Sequence, residues 1–225
     1  PESGLDDHLI AHPDHFQVCR SAPEIDAATD AGALAAVLHL EGAEPVSPAL
    51  TELDSFYAMG VRSIGPLWSR PNAFGTGVPF SFPGSPDQGT GLTDAGKALV
   101  TACDQMNILL DVSHLNEAGF WDIARLSQQP LLASHSNAHA LCPSPRNLTD
   151  RQLDAVAESG GLVGVCFATA YLRSDGRKDP ATDIELVIRQ VAYLVNRMGE
   201  DHVGLGSDFD GAVLPDNLAD CGQLP

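Results

Sequence analysis

Six short apolar runs divide the chain, and each is rich in valine, isoleucine and leucine. They occupy residues 35–41, 60–67, 107–113, 129–134, 160–167 and 202–207. An apolar run of this length, without alternating polar positions, is typical of a strand that is buried on both faces of a parallel sheet. The pattern therefore predicts six strands.

Segments with helical periodicity lie between these runs. Apolar side chains recur at i, i+3, i+4 and i+7 over residues 184–198, and helices are also predicted near 93–106 and 116–127. Three helix starts carry sequence signals: Thr149 with Gln152 and Thr182 with Glu185 as capping boxes, and Ser47 with Pro48.

The alternation of strands and helices predicts an α/β fold in which crossover helices cover a parallel sheet. A (β/α)8 TIM barrel has eight strands and typically about 250 residues. Six strands in 225 residues indicate one barrel domain over residues 1–225 that lacks its first strands and last helix, as in a fragment of a longer chain. An open doubly wound sheet is the alternative, because it needs no further strands. Long loops at 71–91 and 168–180 are expected to carry specificity elements.

Composition narrows the choice of partners. Thirty acidic and twelve basic residues give a formal net charge of -18, which repels nucleic acid and anionic membrane surfaces. No apolar run approaches the roughly 20 residues of a membrane-spanning helix. The five cysteines are scattered and form no CxxC pair. Reduced thiols are therefore expected, with neither a disulfide framework nor a thiolate zinc site.

Polar side chains close four of the apolar runs. Glu41 ends the first, His114 the third, His135 the fourth, and Asp208 with Asp210 the last. A single histidine at a strand end is more often a hydrogen-bonded structural residue than a ligand. The carboxyl ends of parallel strands meet at one rim, however, and two imidazoles with carboxylates suit zinc or another divalent first-row metal.

Such a centre is suited to the hydrolysis of an amide bond. A divalent ion lowers the pKa of bound water from 15.7 toward about 7 and polarises the carbonyl, and two ions about 3.5–4 Å apart can share a bridging carboxylate. Glu41 is the candidate for that bridge. Asp208 would accept the proton of the attacking water and pass it to the leaving amine.

Five segments carry a family resemblance: LHLEGAEPV, GVRSIGPLW, GLTDAGKALVTACDQMNILLDVSH, LLASHSNAHALCPSPRNLTD and VGLGSDFDG. In their order and approximate spacing, from about residue 14 to the end of the chain, they resemble the membrane dipeptidase (renal dipeptidase) family of M19 metallopeptidases. The resemblance implies a (β/α)8 barrel of the metal-dependent hydrolase type. It also implies a dinuclear zinc centre that cleaves dipeptides.

The resemblance assigns roles to individual residues. It implies that Glu41 bridges the two metals, that His114 and His135 bind one zinc, and that Asp208 is the catalytic acid and base. Arg146 falls on the arginine that pairs with the terminal carboxylate of the substrate. A guanidinium suits that role physically, because it holds a planar carboxylate through two parallel hydrogen bonds.

The sequence also departs from the family pattern. Trp68 stands where the mammalian members carry a substrate-binding histidine, and Tyr171 aligns with a substrate-contacting tyrosine, so both are candidate substrate contacts. The family's His-x-Asp pair on the first strand supplies the second zinc. His12 and Asp14 have that spelling but follow no apolar run, and we do not assign them to the metal. Only one zinc site is therefore fully represented.

Several other polar residues are expected to be structural. His39 is predicted to be a packed, hydrogen-bonded residue one layer below the metal ligands, and Asp111 a structural carboxylate. For Asp210, orientation of a ligand and formation of a turn are equal alternatives. Cys142 and Cys166 are expected to be inert buried thiols.

Taken together, these patterns predict a zinc-dependent dipeptidase that acts on small dipeptides. A related binuclear amidohydrolase for N-acyl amino acids or lactams is one alternative, and a metal-incomplete, non-catalytic barrel is another. The preferred dipeptide, the compartment and the formation of a homodimer are left open.

Overall fold

The computed structural model describes residues 15–224. Its strands are β1 (Phe16–Val18), β2 (Leu34–Ala36), β3 (Leu38–Glu41), β4 (Val61–Gly65), β5 (Leu109–Leu110), β6 (Leu132–Ser136), β7 (Leu162–Val165) and β8 (Val203–Leu205). Its α-helices are α1 (Ala22–Asp30), α2 (Leu53–Met59), α3 (Asp94–Met106), α4 (Glu117–Leu126), α5 (Asp150–Glu158), α6 (Thr169–Leu172) and α7 (Glu185–Met198). Short 3₁₀ helices lie at Glu200–His202, Asp216–Leu218 and Cys221–Gln223.

All pairings between these strands are parallel and join neighbours in chain order. β1 pairs with β2, β3 with β4, β4 with β5, β6 with β7, and β7 with β8. Val37 alone separates β2 from β3, and an isolated parallel bridge between Asp111 and Leu132 joins the end of β5 to β6. Within residues 15–224 the strand order never reverses, and the pairings do not close into a ring. The fold is mixed α/β, as predicted.

Each predicted strand overlaps a strand of the structure, but β1 was not predicted. It has only three residues, and its central Gln17 is exposed, so no apolar run marks it. β5 is shorter than its apolar run because the chain changes neighbour there. The Asp111 N–H donates to Ile64 O of β4 at 3.0 Å, and the Val112 N–H donates to Leu132 O of β6 at 2.7 Å.

The three predicted helices match α3, α4 and α7 to within one residue at each end. The predicted capping box at the start of α5 is also confirmed, since the Thr149 N–H donates to Gln152 Oε1 at 2.9 Å. In residues 15–224 no helix is long and apolar enough to cross a membrane.

Two predicted helix starts are wrong. Thr182 does not cap α7, because its hydroxyl donates to Asp179 O at 2.6 Å while Asp183 Oδ1 accepts the Glu185 N–H at 3.0 Å. Pro48 does not open a helix, because Ser47–Leu50 forms a turn. The carboxylate that accepts the Ser47 N–H at 2.9 Å is the side chain of Glu52, and α2 begins only after it.

The long loop 71–91 is part of the packed structure. Phe74 is completely buried in the core, and the Val78 N–H donates to His114 O at 2.9 Å. Asn116 Nδ2 donates to the carbonyls of Gln88 and Thr90. These contacts hold the loop against the segment that follows β5, which is where the candidate site lies.

Candidate metal centre and active site

Three side chains from separate strands converge at the carboxyl ends of the sheet. Glu41 ends β3, His114 follows β5, and His135 lies near the end of β6. His114 Nε2 lies 2.9 Å from His135 Nε2 and 3.0 Å from Glu41 Oε1. His135 Nε2 lies 3.2 Å from the same carboxylate oxygen. The structure therefore brings together the three residues that the sequence assigned to metal.

The backbone adopts a rare conformation at two site residues. His114 has φ 69° and Asp208 has φ 61°, in the left-handed region that residues with a side chain seldom enter. Such a conformation costs roughly 1–3 kcal/mol and persists only where the surroundings enforce it. At His114 the bond from the Val78 N–H to its carbonyl supplies part of that constraint.

A serine hydroxyl lies against the second nitrogen of each histidine. His114 Nδ1 is 2.8 Å from Ser69 Oγ, in the loop after β4, and His135 Nδ1 is 2.7 Å from Ser134 Oγ, the preceding residue in β6. With both Nδ1 atoms bonded on the far side of their rings, both Nε2 atoms face Glu41. This is the orientation that metal-binding histidines need.

The surroundings of the cluster keep His114 neutral and Glu41 negatively charged. Burial, followed by the positive charge of Arg146, lowers the pKa of His114 to about 3. The hydrogen bond of the His114 imidazole in turn holds the pKa of Glu41 well below its ordinary value. A neutral imidazole and an ionised carboxylate are the protonation states that bind a cation.

The donor set fits a divalent first-row metal. Two ligand atoms at 2.0–2.1 Å from a tetrahedral zinc ion lie about 3.3 Å apart, close to the 2.9–3.2 Å found between the three ligand atoms here. Two imidazole nitrogens and one carboxylate oxygen are also a ligand set that zinc accepts.

A cavity of about 630 Å³ opens above this cluster, and Glu41, His114, Arg146 and Asp208 line it. Burial raises the pKa of the Asp208 carboxyl above its ordinary value, although His135 and Arg146 act in the opposite direction. The thiol of Cys166 lies 3.9 Å from Asp208 Oδ2. Asp208 is thus a partly buried carboxylate that faces the same space as the metal cluster.

Arg146 enters the cavity from the loop between β6 and α5. Its side chain is almost completely buried, at 3% exposure, and its Nη2 donates to His135 O at 3.2 Å. Its guanidinium carbon lies 5.4 Å from the centre of the Tyr171 ring, and its Nε finds no acceptor among the described residues. The guanidinium is therefore held in place and keeps an unused hydrogen-bond donor.

Aromatic side chains form one wall of the cavity. Trp68 packs edge-on against Phe80, with ring centroids 5.1 Å apart, and lies 5.9 Å from the His114 ring. Tyr171 lines the cavity as well, and burial raises the pKa of its hydroxyl to about 12. The two candidate substrate contacts thus lie in the cavity with the metal cluster, and the Tyr171 hydroxyl remains protonated at neutral pH.

Other residues considered in the sequence lie outside the cavity. His39 is held by Ser63 Oγ, 2.9 Å from its Nδ1. Asp210 is exposed in a turn, and Cys142 is buried, with burial raising the pKa of its thiol to about 12. His12 and Asp14 fall outside the described residues.

The cavity lining also includes residues that were not predicted, among them the long or aromatic side chains of Arg70, Phe80 and Lys178. Phe80 and Lys178 lie in the two long loops that were expected to carry specificity elements. No local pattern distinguishes either residue from its neighbours in the loop, so their place in the cavity wall can be seen only in the folded structure.

Comparison with known proteins identifies the family. Residues 5–225 match the membrane dipeptidase family, peptidase family M19. The chain belongs to this family, which confirms the resemblance carried by its motifs. An uncharacterized protein from the region 5′ of pqqA in Klebsiella pneumoniae is 53% identical over 218 residues, which cover 96% of this chain and 80% of that protein.

Two solved structures are similar over almost the whole chain. Dipeptidase AC, a metallo peptidase of family M19, is 53% identical with a TM-score of 0.97, and the match covers 99% of this chain and 64% of that one. A metallo peptidase from Rhodobacter sphaeroides, liganded with a phosphinate mimic of the dipeptide L-Ala-D-Ala, is 52% identical with a TM-score of 0.95. That match covers 98% of this chain and 64% of that one. This chain therefore spans less than two thirds of either solved structure.

Proposed function

We propose that this chain belongs to a zinc-dependent dipeptidase, a hydrolase that cleaves the peptide bond of dipeptides. The observation that carries the proposal is the convergence of Glu41, His114 and His135, whose ligand atoms all lie within 4.8 Å of one another. Membership of the M19 family supports it, as does the dipeptide mimic bound to the Rhodobacter sphaeroides relative.

The three converging residues would hold the metal. Zinc suits imidazole and carboxylate ligands, and when bound it supplies water activation and polarisation of the scissile carbonyl. His114 and His135 would contribute nitrogen donors to the ion, and Glu41 an oxygen donor. The Glu41 side chain is 47% exposed, which leaves it accessible for the bridging role that a dinuclear centre requires.

Asp208 would carry the proton. It accepts a proton from the attacking water and delivers it to the amine that leaves when the C–N bond breaks. Its raised pKa makes it a better proton acceptor than an ordinary aspartate, because the ideal catalytic pKa lies nearer the working pH. Its place on the cavity wall gives it access to both groups.

Arg146 would fix the orientation of the substrate. Its buried guanidinium can pair with the terminal carboxylate of a dipeptide through parallel hydrogen bonds. Trp68 and Tyr171 would then contact the rest of the substrate. A cavity of about 630 Å³ lies within the usual range of about 300–1,000 Å³ for small-molecule sites.

We also propose that the sheet is the main part of a single (β/α)8 barrel. A doubly wound sheet reverses its strand order at the point where it binds its ligand, whereas the strands here follow chain order throughout residues 15–224. A candidate site at the carboxyl ends of parallel strands is the arrangement found in barrel enzymes.

The metal assignment can be tested by elemental analysis. We expect His135→Ala to lose zinc, because one of the three converging donors is removed. His139→Ala is the matched control: that side chain contacts Gly84 O at 2.8 Å, away from the cluster, and the variant should keep its metal. Wild-type zinc content in His135→Ala would remove this residue from the site.

The substrate class can be tested by comparing turnover of dipeptides with turnover of N-acyl amino acids that carry the same C-terminal residue. We expect dipeptides to be cleaved faster. Faster cleavage of the N-acyl compounds would favour the related amidohydrolase activity, since Arg146 serves the carboxylate of both classes equally well.

A further inference from the structure

A buried carboxylate lies beneath the candidate metal centre and has no part in the proposed reaction. Asp111 directly follows β5 and is 1% exposed. Its Oδ1 accepts the backbone N–H groups of Ser113 and Ser134 at 2.9 and 3.0 Å, and its Oδ2 accepts the hydroxyl of Ser134. Because all three bonds are donated to it, Asp111 is an ionised acceptor.

The hydroxyl of Ser134 links Asp111 to His135 and determines which nitrogen of His135 carries the ring proton. It has one proton, which it gives to Asp111, yet it also lies 2.7 Å from His135 Nδ1. Toward His135 the same oxygen can therefore only accept a hydrogen bond. The ring proton of His135 must then sit on Nδ1, and its Nε2 presents a free lone pair to Glu41 and His114.

We propose that Asp111 is a positioning residue that fixes the tautomer of His135 through Ser134 and so keeps Nε2 available as a metal ligand. The inference rests on the proposed function, in which His135 binds the ion. His114 is held differently, by the hydroxyl of Ser69 in the loop after β4. The histidine of β6 thus has a buried carboxylate behind its serine, as metal-binding histidines commonly do.

The substitution Asp111→Asn should reverse the two hydrogen bonds of the Ser134 hydroxyl, one to residue 111 and one to His135. The amide oxygen can still accept both backbone N–H groups, whereas the amide nitrogen would donate to Ser134. The serine proton then turns toward His135 Nδ1, and the ring proton moves to Nε2. An Asp→Asn change behind a histidine can select the wrong tautomer while the geometry is preserved.

The experiment measures zinc affinity by competition with a chromophoric chelator, and the tautomer of His135 by ¹⁵N NMR of the metal-free protein. We expect Asp111→Asn to bind zinc about 10- to 100-fold more weakly, the usual effect of losing a group that orients a metal ligand. We also expect His135 to change from the Nδ1–H to the Nε2–H form. Unchanged affinity and an unchanged tautomer would overturn the proposal.

Ser134 provides the matched variants. Ser134→Ala removes the link, so adding Asp111→Asn to it should weaken zinc binding no further, and the two changes should be strongly non-additive. Ser134→Thr keeps the hydroxyl and should restore the affinity. If Asp111 only joins the β5 and β6 backbones, the effects of the two substitutions on zinc affinity add. If Asp111→Asn does not fold, Ser134→Ala still tests the link, and an unchanged zinc affinity in Ser134→Ala would then overturn the proposal.

The same measurements separate this inference from the proposed function. Full zinc affinity in His135→Ala would refute the metal assignment itself. Loss of zinc in His135→Ala, together with normal affinity in Asp111→Asn and Ser134→Ala, would refute only the positioning role of Asp111.

Discussion

At the scale of single residues, burial separates carboxylates that look equivalent in the sequence. Asp208 and Asp210 are two positions apart, and both have positive φ, at 61° and 64°. Asp208 is partly buried and faces the cavity, whereas Asp210 is exposed in the turn that follows. Of the two, only Asp208 lines the cavity.

The pair offers a controlled test of the proton-transfer role. We expect Asp208→Asn to keep its metal and to lower kcat by roughly 10² or more, the usual contribution of a general acid or base. Asp210→Asn makes the same chemical change outside the cavity and should leave kcat near the wild-type value. Equal losses in steady-state kcat for the two variants would mean that Asp208 has no special part in catalysis.

Arg146 allows a test of how the substrate is oriented. Replacing it by lysine keeps the positive charge but loses the paired, planar donors. We expect kcat/KM for a dipeptide with a free carboxylate to fall about 10- to 100-fold, the worth of roughly 1.5–3 kcal/mol for hydrogen bonds to a charged group.

The control for Arg146 is a change in the substrate. A C-terminally amidated dipeptide has no carboxylate to pair, so its kcat/KM should already be low and should change little in Arg146→Lys. If the substitution lowered kcat/KM for both substrates by the same factor, Arg146 would act on the shape of the site and not on the carboxylate.

At the scale of elements, the sequence predicted the helices whose position depends on the spacing of nearby apolar residues. The helices over 93–106 and 184–198 have a long apolar period, and the structure has them to within one residue. At the predicted start at Pro48 the chain forms a turn instead, and the Ser47 N–H donates to the side chain of Glu52, five residues along the chain. Glu41 and the two histidines were predictable because strand ends meet at one rim.

The parts of the site that come from loops were not predictable in this way. Ser69 and Lys178 lie in segments without apolar periodicity, and their positions depend on how the loop is packed. The three-residue β1 is similar, since its strand character depends on pairing with β2. Tertiary contacts decide such features, and a single sequence does not display them.

The packing of the long loop 71–91 can be tested at its buried anchor. Phe74 is completely buried, and we expect Phe74→Ala to lower the free energy of unfolding by about 3–5 kcal/mol. Phe80 in the same loop is 52% exposed, so Phe80→Ala should cost less than about 1 kcal/mol. Denaturant unfolding of both variants gives the comparison, and similar losses would show that the loop is not anchored at Phe74.

At the scale of the whole molecule, the charge complicates any measurement of metal binding. A net charge of -18 attracts cations to the entire surface. Specific binding at Glu41, His114 and His135 must therefore be separated from this general attraction. His135→Ala is suitable for that purpose, because removing a neutral imidazole leaves the formal charge of the chain unchanged.

Thermal unfolding in the presence of zinc makes the separation. A ligand at 100 times its Kd stabilises the folded state by about 2.7 kcal/mol. For a chain of 150–250 residues each kcal/mol raises Tm by roughly 2–4 °C. We therefore expect Tm to rise by roughly 5–10 °C in the wild-type chain. The three donors come from β3, from the turn after β5 and from β6, and they meet only when the sheet is folded.

In His135→Ala the same zinc concentration should produce a much smaller rise, and chelation should abolish the difference between the two proteins. An equal rise in both would show that zinc binds the acidic surface and not the strand-end cluster.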